Sequence, residues 1–222
     1  MKKTLLLLCM LFTIGLNAQI TDCSELFISE YIEPSGGNNK ALEIVNLTSA
    51  IVDMSAYSIK KQSNGSGDWI HEFVLSGIIN VNEVMVIINY QADNSILVSE
   101  ADIIGPSTNF GSPINFNGND PVGLFKDDIL IDIVGEFGGG SSNFAKDKTL
   151  RRKSTVVEPN INFDLDTEWE IFPMDTFDDI GGTHLTLSTE EDQWKQLSVY
   201  PNPTSDGFLN IKFNFPIKSG LL

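Results

Sequence analysis

Val122-Gly123-Leu124-Phe125-Lys126-Asp127-Asp128-Ile129-Leu130-Ile131-Asp132-Ile133-Val134 consists of two apolar runs joined by a polar pair. Such runs on either side of a two-residue turn describe a β-hairpin, with Asp127-Asp128 at its tip. The same period of two recurs on both sides. Upstream, alternation runs from Glu25 to Ile32, Ala41 to Asn46 forms a second strand, and Tyr57 to Lys60 alternates cleanly. Asn64-Gly65-Ser66-Gly67 is a turn, Trp69 to Leu75 resumes the strand pattern, and Glu83 to Asn89 has the Val/Ile richness of a buried strand. Residues 102–119 are loop-rich, with Pro106, Gly111, Pro113 and Gly118. Downstream, Lys148 to Lys153 suits a strand with Arg151 and Arg152 on opposite faces. The run from Asp164 to Phe172 precedes Pro173, which suits a sheet edge. Helix is confined to a turn or two near Asn94 to Glu100. Many short strands with Gly/Pro turns give an all-β sandwich or barrel.

Asp132 is the polar residue among Leu130, Ile131, Ile133 and Val134. A tight hairpin sets it opposite Val122 or Gly123, where a small neighbour leaves room for a carboxylate. A buried Asp must be satisfied by donors, so Asp132 is expected to anchor nearby loop N–H groups. Arg151-Arg152-Lys153 is the one basic cluster, with one Arg expected to pair with a carboxylate and the other to be exposed. The spacing Asp164-x-Asp166-x-Glu168 begins as a calcium loop does, and Asp175 falls at the twelfth position. Trp169 stands where that loop needs Gly, so calcium is the only ion the pattern suits and it suits it poorly. Asp175, Asp178 and Asp179 read as a solvated acidic loop. The two histidines, His71 and His184, lack metal-ligand spacing. No nucleophile elbow, zinc-protease helix or phosphate loop appears, and Gly138-Gly139-Gly140 has no Lys-Ser/Thr after it. No residue is therefore assigned as catalytic, cofactor-binding or metal-ligating.

The ends of the chain speak to its location. Met1-Lys2-Lys3, the apolar run Leu5 to Leu16 and Asn17-Ala18-Gln19 form a cleavable signal peptide over residues 1–19. The run is shorter than the roughly 20 residues a spanning helix needs, and no later run is longer. Cleavage removes Cys9 and leaves Cys23, read as a minor thiol near a mobile terminus, so no internal disulfide forms. The formal net charge is −16. That charge weighs against direct binding to nucleic acid and to anionic membrane surfaces.

Six stretches in order resemble the lamin-tail domain, a small immunoglobulin-like β-sandwich. They are Leu26 to Tyr31, Lys40 to Asn46, Asn115 to Leu124, Ile131 to Gly135, Thr149 to Ser154 and Glu168 to Ile171. The resemblance implies an interaction module over residues 22–187, of a kind often joined to secreted nucleases and other hydrolases. After a linker at 188–197, Ser198-Val199-Tyr200-Pro201-Asn202-Pro203-Thr204 resembles the opening of the C-terminal sorting domain of the type IX secretion system of Bacteroidetes. Residues 198–222 are shorter than that domain, so Leu209, Ile211 and Phe213 are expected to alternate along a strand whose partners are missing. The resemblances imply a secreted or cell-surface protein that uses the type IX machinery if its tail is complete, and a periplasmic one otherwise. The expected function is non-enzymatic binding or adhesion to an extracellular protein or glycan. The alternative is an accessory or remnant module of a secreted nuclease or other hydrolase.

Overall fold

In β1 (Phe27–Glu33) and β2 (Ala41–Val45) every residue is buried, so both faces of this part of the sheet must be covered. A computed structural model shows how, and describes residues 23–34, 37–107, 112–184, 197–200 and 210–213. The signal peptide and most of the linker lie outside the described residues. The remaining elements, in chain order, begin with β3 (Val52–Asp53), β4 (Tyr57–Lys61), β5 (Ile70–Val74), β6 (Ile78–Ile79), β7 (Val84–Ile88) and α1 (Ser95–Glu100). They continue with β8 (Ile103–Ile104), β9 (Val122–Lys126), β10 (Ile129–Val134), β11 (Lys148–Arg152), α2 (Leu165–Glu168), β12 (Trp169–Pro173), β13 (Leu197–Tyr200) and β14 (Asn210–Phe213).

A six-stranded sheet in the order β12-β11-β1-β2-β7-β8 packs against a four-stranded sheet in the order β10-β9-β4-β5. Leu42, Ile44, Ile87 and Leu150 of the first meet Tyr57, Ile59, Leu124 and Val134 of the second in one apolar core. This is an all-β immunoglobulin-like sandwich. Every pairing is antiparallel except β7 with β8, which needs a crossover. The crossover contains α1, capped by Asn94, whose side chain accepts from the Ile96 and Leu97 N–H groups. The outer face of the six-stranded sheet is also covered, because Leu97, Phe177 and Ile180 pack on Ile32, Ala41, Val86 and Ile88.

The β9–β10 hairpin forms as expected, and both Asp127 and Asp128 have positive φ, as a type I′ turn requires. A bulge between Leu130 and Asp132 then moves Asp132 one residue along, so that it faces Leu124 rather than Val122 or Gly123. β12 lies at an edge and accommodates Pro173 there. Cys23 is buried, not exposed at a loose end. Its Sγ donates to the Glu25 carbonyl at 3.0 Å, and burial pushes the thiol pKa up.

Met1–His184 and Leu185–Leu222 form two separate units. In the second, β13 and β14 pair antiparallel with Val199 opposite Ile211, so the strand read as lacking a partner has one. Leu209 and the rest of the tail lie outside the described residues.

Candidate functional site

The two arginines of β11 point to opposite faces, and neither is exposed. Arg152 enters the core. Both of its terminal nitrogens donate to Asp132 Oδ1, at 3.0 and 3.1 Å, and both side chains are 0% accessible. Asp132 has backbone donors as well: Oδ1 also accepts the Asn160 N–H at 2.8 Å, and Oδ2 accepts the Ile28 N–H at 2.7 Å. β11 pairs with β1 only from Glu30 onward, so the Ile28 N–H lies beyond that ladder and Asp132 takes it. The guanidinium lies over the Trp169 ring, 4.6 Å from its centroid, and a terminal nitrogen is 3.2 Å from Glu168 Oε2. Burial pushes Asp132 up to about 6, against the pull of Arg152 and of its backbone donors. Asp132 thus anchors one loop N–H, as expected, but its main partners are a strand and an arginine. The group clasps the two sheets together.

Arg151 faces outward into a row of acids. Across the sheet, Glu170, Arg151, Glu30 and Glu43 occupy successive strands in register. Arg151 Nε donates to Glu30 Oε1 at 3.1 Å, and Nη2 bonds Asp178. Glu43 accepts from Ser29 Oγ at 2.6 Å and from the Gly181 N–H at 2.8 Å. Residues 174–184 therefore cross this face as a strap, and Asp178 and Asp179 pair with Arg151 rather than standing as a free acidic loop. Burial pushes Glu30 up to about 8 and Glu43 up to about 7. The Glu43 carboxyl opposite adds to the rise at Glu30, and Asp179 adds to the rise at Glu43. His184 closes the strap. Burial lowers its pKa, and its Nε2 donates to the Val156 carbonyl at 2.8 Å. The cavity left beneath, about 40 Å3, is too small for an organic ligand. His71 lies on β5 in the other sheet, so the two histidines never meet.

A third cluster had no sequence signal beyond ordinary lysines. Lys40 Nζ donates to the Phe116 carbonyl and Lys61 Nζ to the Asn115 carbonyl, each at 2.6 Å. Glu33 lies 3.7 Å from Lys40, and Asp120 lies 3.6 Å from Lys61. Burial depresses both lysine pKa values. Asp120 also accepts the Asn64 and Asn117 N–H groups. Gly118 has to be glycine, since a Cβ there would fall 2.0 Å from the Lys146 nitrogen. The loop at 112–121 is thereby fixed.

That fixed loop forms one wall of an open groove of about 230 Å3. Asn119 and Pro121 stand on this side, Glu136 and Gly139-Gly140 on another, and Ser142, Asn143, Phe144 and Phe163 complete it. The Phe144 and Phe163 rings meet edge to face, 5.3 Å between centroids, and both pack against the core. Gly140 N–H donates to the Gly65 carbonyl and Gly138 N–H to Gln62 Oε1, which pins the glycine loop. A second, shallower hollow shares Phe163 and is lined by Asn160, Asn162, Asp164 and Asp166.

The carboxylates spaced like a calcium loop do not converge. Asp164 caps α2 by accepting the Thr167 N–H, while Glu168 turns inward to Arg152 and Asn160. Among the described residues no group of three or more His, Cys, Asp or Glu could hold a metal ion. Among them, too, no helix is long and apolar enough to cross a membrane.

A family model described as the Lamin Tail Domain matches residues 19–138, more than half of the chain. The match takes in β1 to β10. Arg151, Arg152 and the far wall of the groove at Ser142, Asn143, Phe144 and Phe163 lie beyond it. No curated protein matches the chain.

Proposed function

The chain belongs to the lamin tail domain family, and from that membership we propose that it is a non-enzymatic module that binds an extracellular partner at the bacterial cell surface. Lamin tail domains are a non-catalytic immunoglobulin-like family. The observation that carries the reading is how the charged groups are used. The buried ionisable groups on β1, β2, β10 and β11 are engaged with one another or with backbone. The open hollow lies on loops that the sandwich holds rigid, the usual arrangement for a binding site. Delivery belongs to the same proposal. The leader at 1–19 takes the chain across the inner membrane, and the tail from residue 198, with Tyr200-Pro201-Asn202-Pro203, is offered to the type IX machinery. Screening the purified chain against glycan, extracellular-protein and nucleic-acid panels tests the reading, run alongside phosphodiesterase and esterase assays. The expected result is a glycan or protein hit with no turnover. Silence on every panel, or turnover in either assay, overturns it.

A further inference from the structure

We propose that the groove between the 118–121 loop, the 136–140 loop and Phe163 binds a neutral pyranose ring of an extracellular glycan; this deepens, and rests on, the binding function proposed above. The groove supplies the two things a sugar ring needs. Sugars carry apolar C–H faces, which pack on aromatic rings, and the Phe144–Phe163 pair is held in place by the core. Sugars also carry vicinal hydroxyls that both donate and accept. Around the rings stand an acid, a hydroxyl and two amides: Glu136, Ser142, Asn119 and Asn143. Asn119 Nδ2 is held by Asn64 Oδ1 at 3.2 Å and by the Ser141 carbonyl. The side chains of Glu136, Ser142 and Asn143 bond to nothing else among the described residues, so a ligand would break no internal contact to use them.

Charge and size narrow the class. No lysine or arginine lines the groove, Glu136 lines it, and the chain carries a net charge of −16. Phosphate, sulfate, uronate and nucleic-acid ligands are disfavoured by that field. A volume of about 230 Å3 is below the roughly 300–1,000 Å3 that encloses drug-sized molecules, and it suits one ring with its neighbours in solvent. The adjoining hollow at Asn160, Asn162 and Asp164 shares Phe163, so the next ring finds a second contact with the same aromatic side chain. An oligosaccharide is therefore expected to bind more tightly than its monosaccharide.

The test is titration of the purified, isotope-labelled chain with neutral hexose and N-acetylhexosamine monomers and oligomers. Amide shifts are followed in the wild type and in Glu136→Ala and Asn143→Ala, two exposed positions. We expect saturable shifts confined to residues 118–121, 136–144 and 160–164. Each substitution should weaken binding roughly three- to tenfold, as loss of one or two hydrogen bonds does, with unchanged melting temperature. Saccharide binding that maps elsewhere, or that ignores both substitutions, overturns the groove assignment. No binding by any neutral saccharide, with a protein hit on the wider panels, overturns this inference and leaves the binding function standing. Silence on all of them removes both.

Discussion

Arg151 and Arg152 are neighbours in sequence and occupy opposite worlds. Arg152 lies between the sheets, its guanidinium 0% accessible and bonded to an equally inaccessible Asp132. Arg151 lies on the outer face, bonded to Glu30 inside and to the exposed Asp178 on the strap. The same residue type thus performs two tasks. Inside, Arg152 meets Asp132 and Glu168 in a buried unit that joins β10, β11, β1 and the loop at Asn160. Outside, burial leaves Glu30 and Glu43 with raised pKa values that reach neutral pH and above. The inner group should resist changes of salt and respond to pH only up to about pH 6, where Asp132 gives up its proton, while the outer group should follow both and respond up to about pH 8.

The largest effect is expected from breaking the inner unit. Asp132→Ala leaves Arg152 buried with only Glu168 beside it, and removing one partner of a buried pair costs about 3–5 kcal/mol. Replacing both, as Asp132→Leu with Arg152→Met, should recover part of the loss, since apolar substitutes of similar volume are often neutral while the Ile28 and Asn160 N–H groups still lack their acceptor. Denaturant unfolding of the three chains checks this. A double variant as unstable as the single one would show that the pair specifies the fold rather than filling it.

The outer row gives an intermediate, pH-dependent effect. Glu30 and Glu43 bind protons in the folded chain up to about pH 8 and 7, but lose them near 4.5 when unfolded. The folded state therefore holds more protons across that window, and stability falls as pH rises through it. The melting temperature should be lower at about pH 9 than at about pH 5, by several degrees. Glu43→Gln should flatten the slope and raise stability on the alkaline side. A melting temperature that climbs toward pH 9 would contradict the assignment.

The smallest effect belongs to the strap's surface pair. Asp178 is exposed, so Asp178→Asn should cost no more than about 1 kcal/mol, and less in high salt. A salt-independent loss of several kcal/mol would mean that Asp178, rather than Phe177 and Ile180, holds the strap.

These contrasts also mark what the sequence could and could not reveal. The period of two exposed the hairpin at 122–134, and Pro173 marked the edge strand. Arg151 and Arg152 were readable as opposite faces of one strand. What each face would meet was not readable, because Asp132 and Glu30 reach them from other strands through register. Two bulges, between Ile28 and Glu30 and between Leu130 and Asp132, shift that register and leave no mark in composition. The buried lysines were invisible for a related reason: Lys40 and Lys61 are buried by the carbonyls of a loop more than fifty residues away. The groove is assembled from three separate segments, at 119–121, 136–144 and 163, so no single local motif announces it.

The most direct measurement compares the two arginines themselves. Arg152→Ala and Arg151→Ala are unfolded side by side in urea, at about pH 6 and moderate salt. The Arg152→Ala chain should lose about 3–5 kcal/mol, and the Arg151→Ala chain no more than about half of that. Equal losses, or a larger loss at Arg151, would contradict the division of the sandwich into a closed inner clasp and an adjustable outer row.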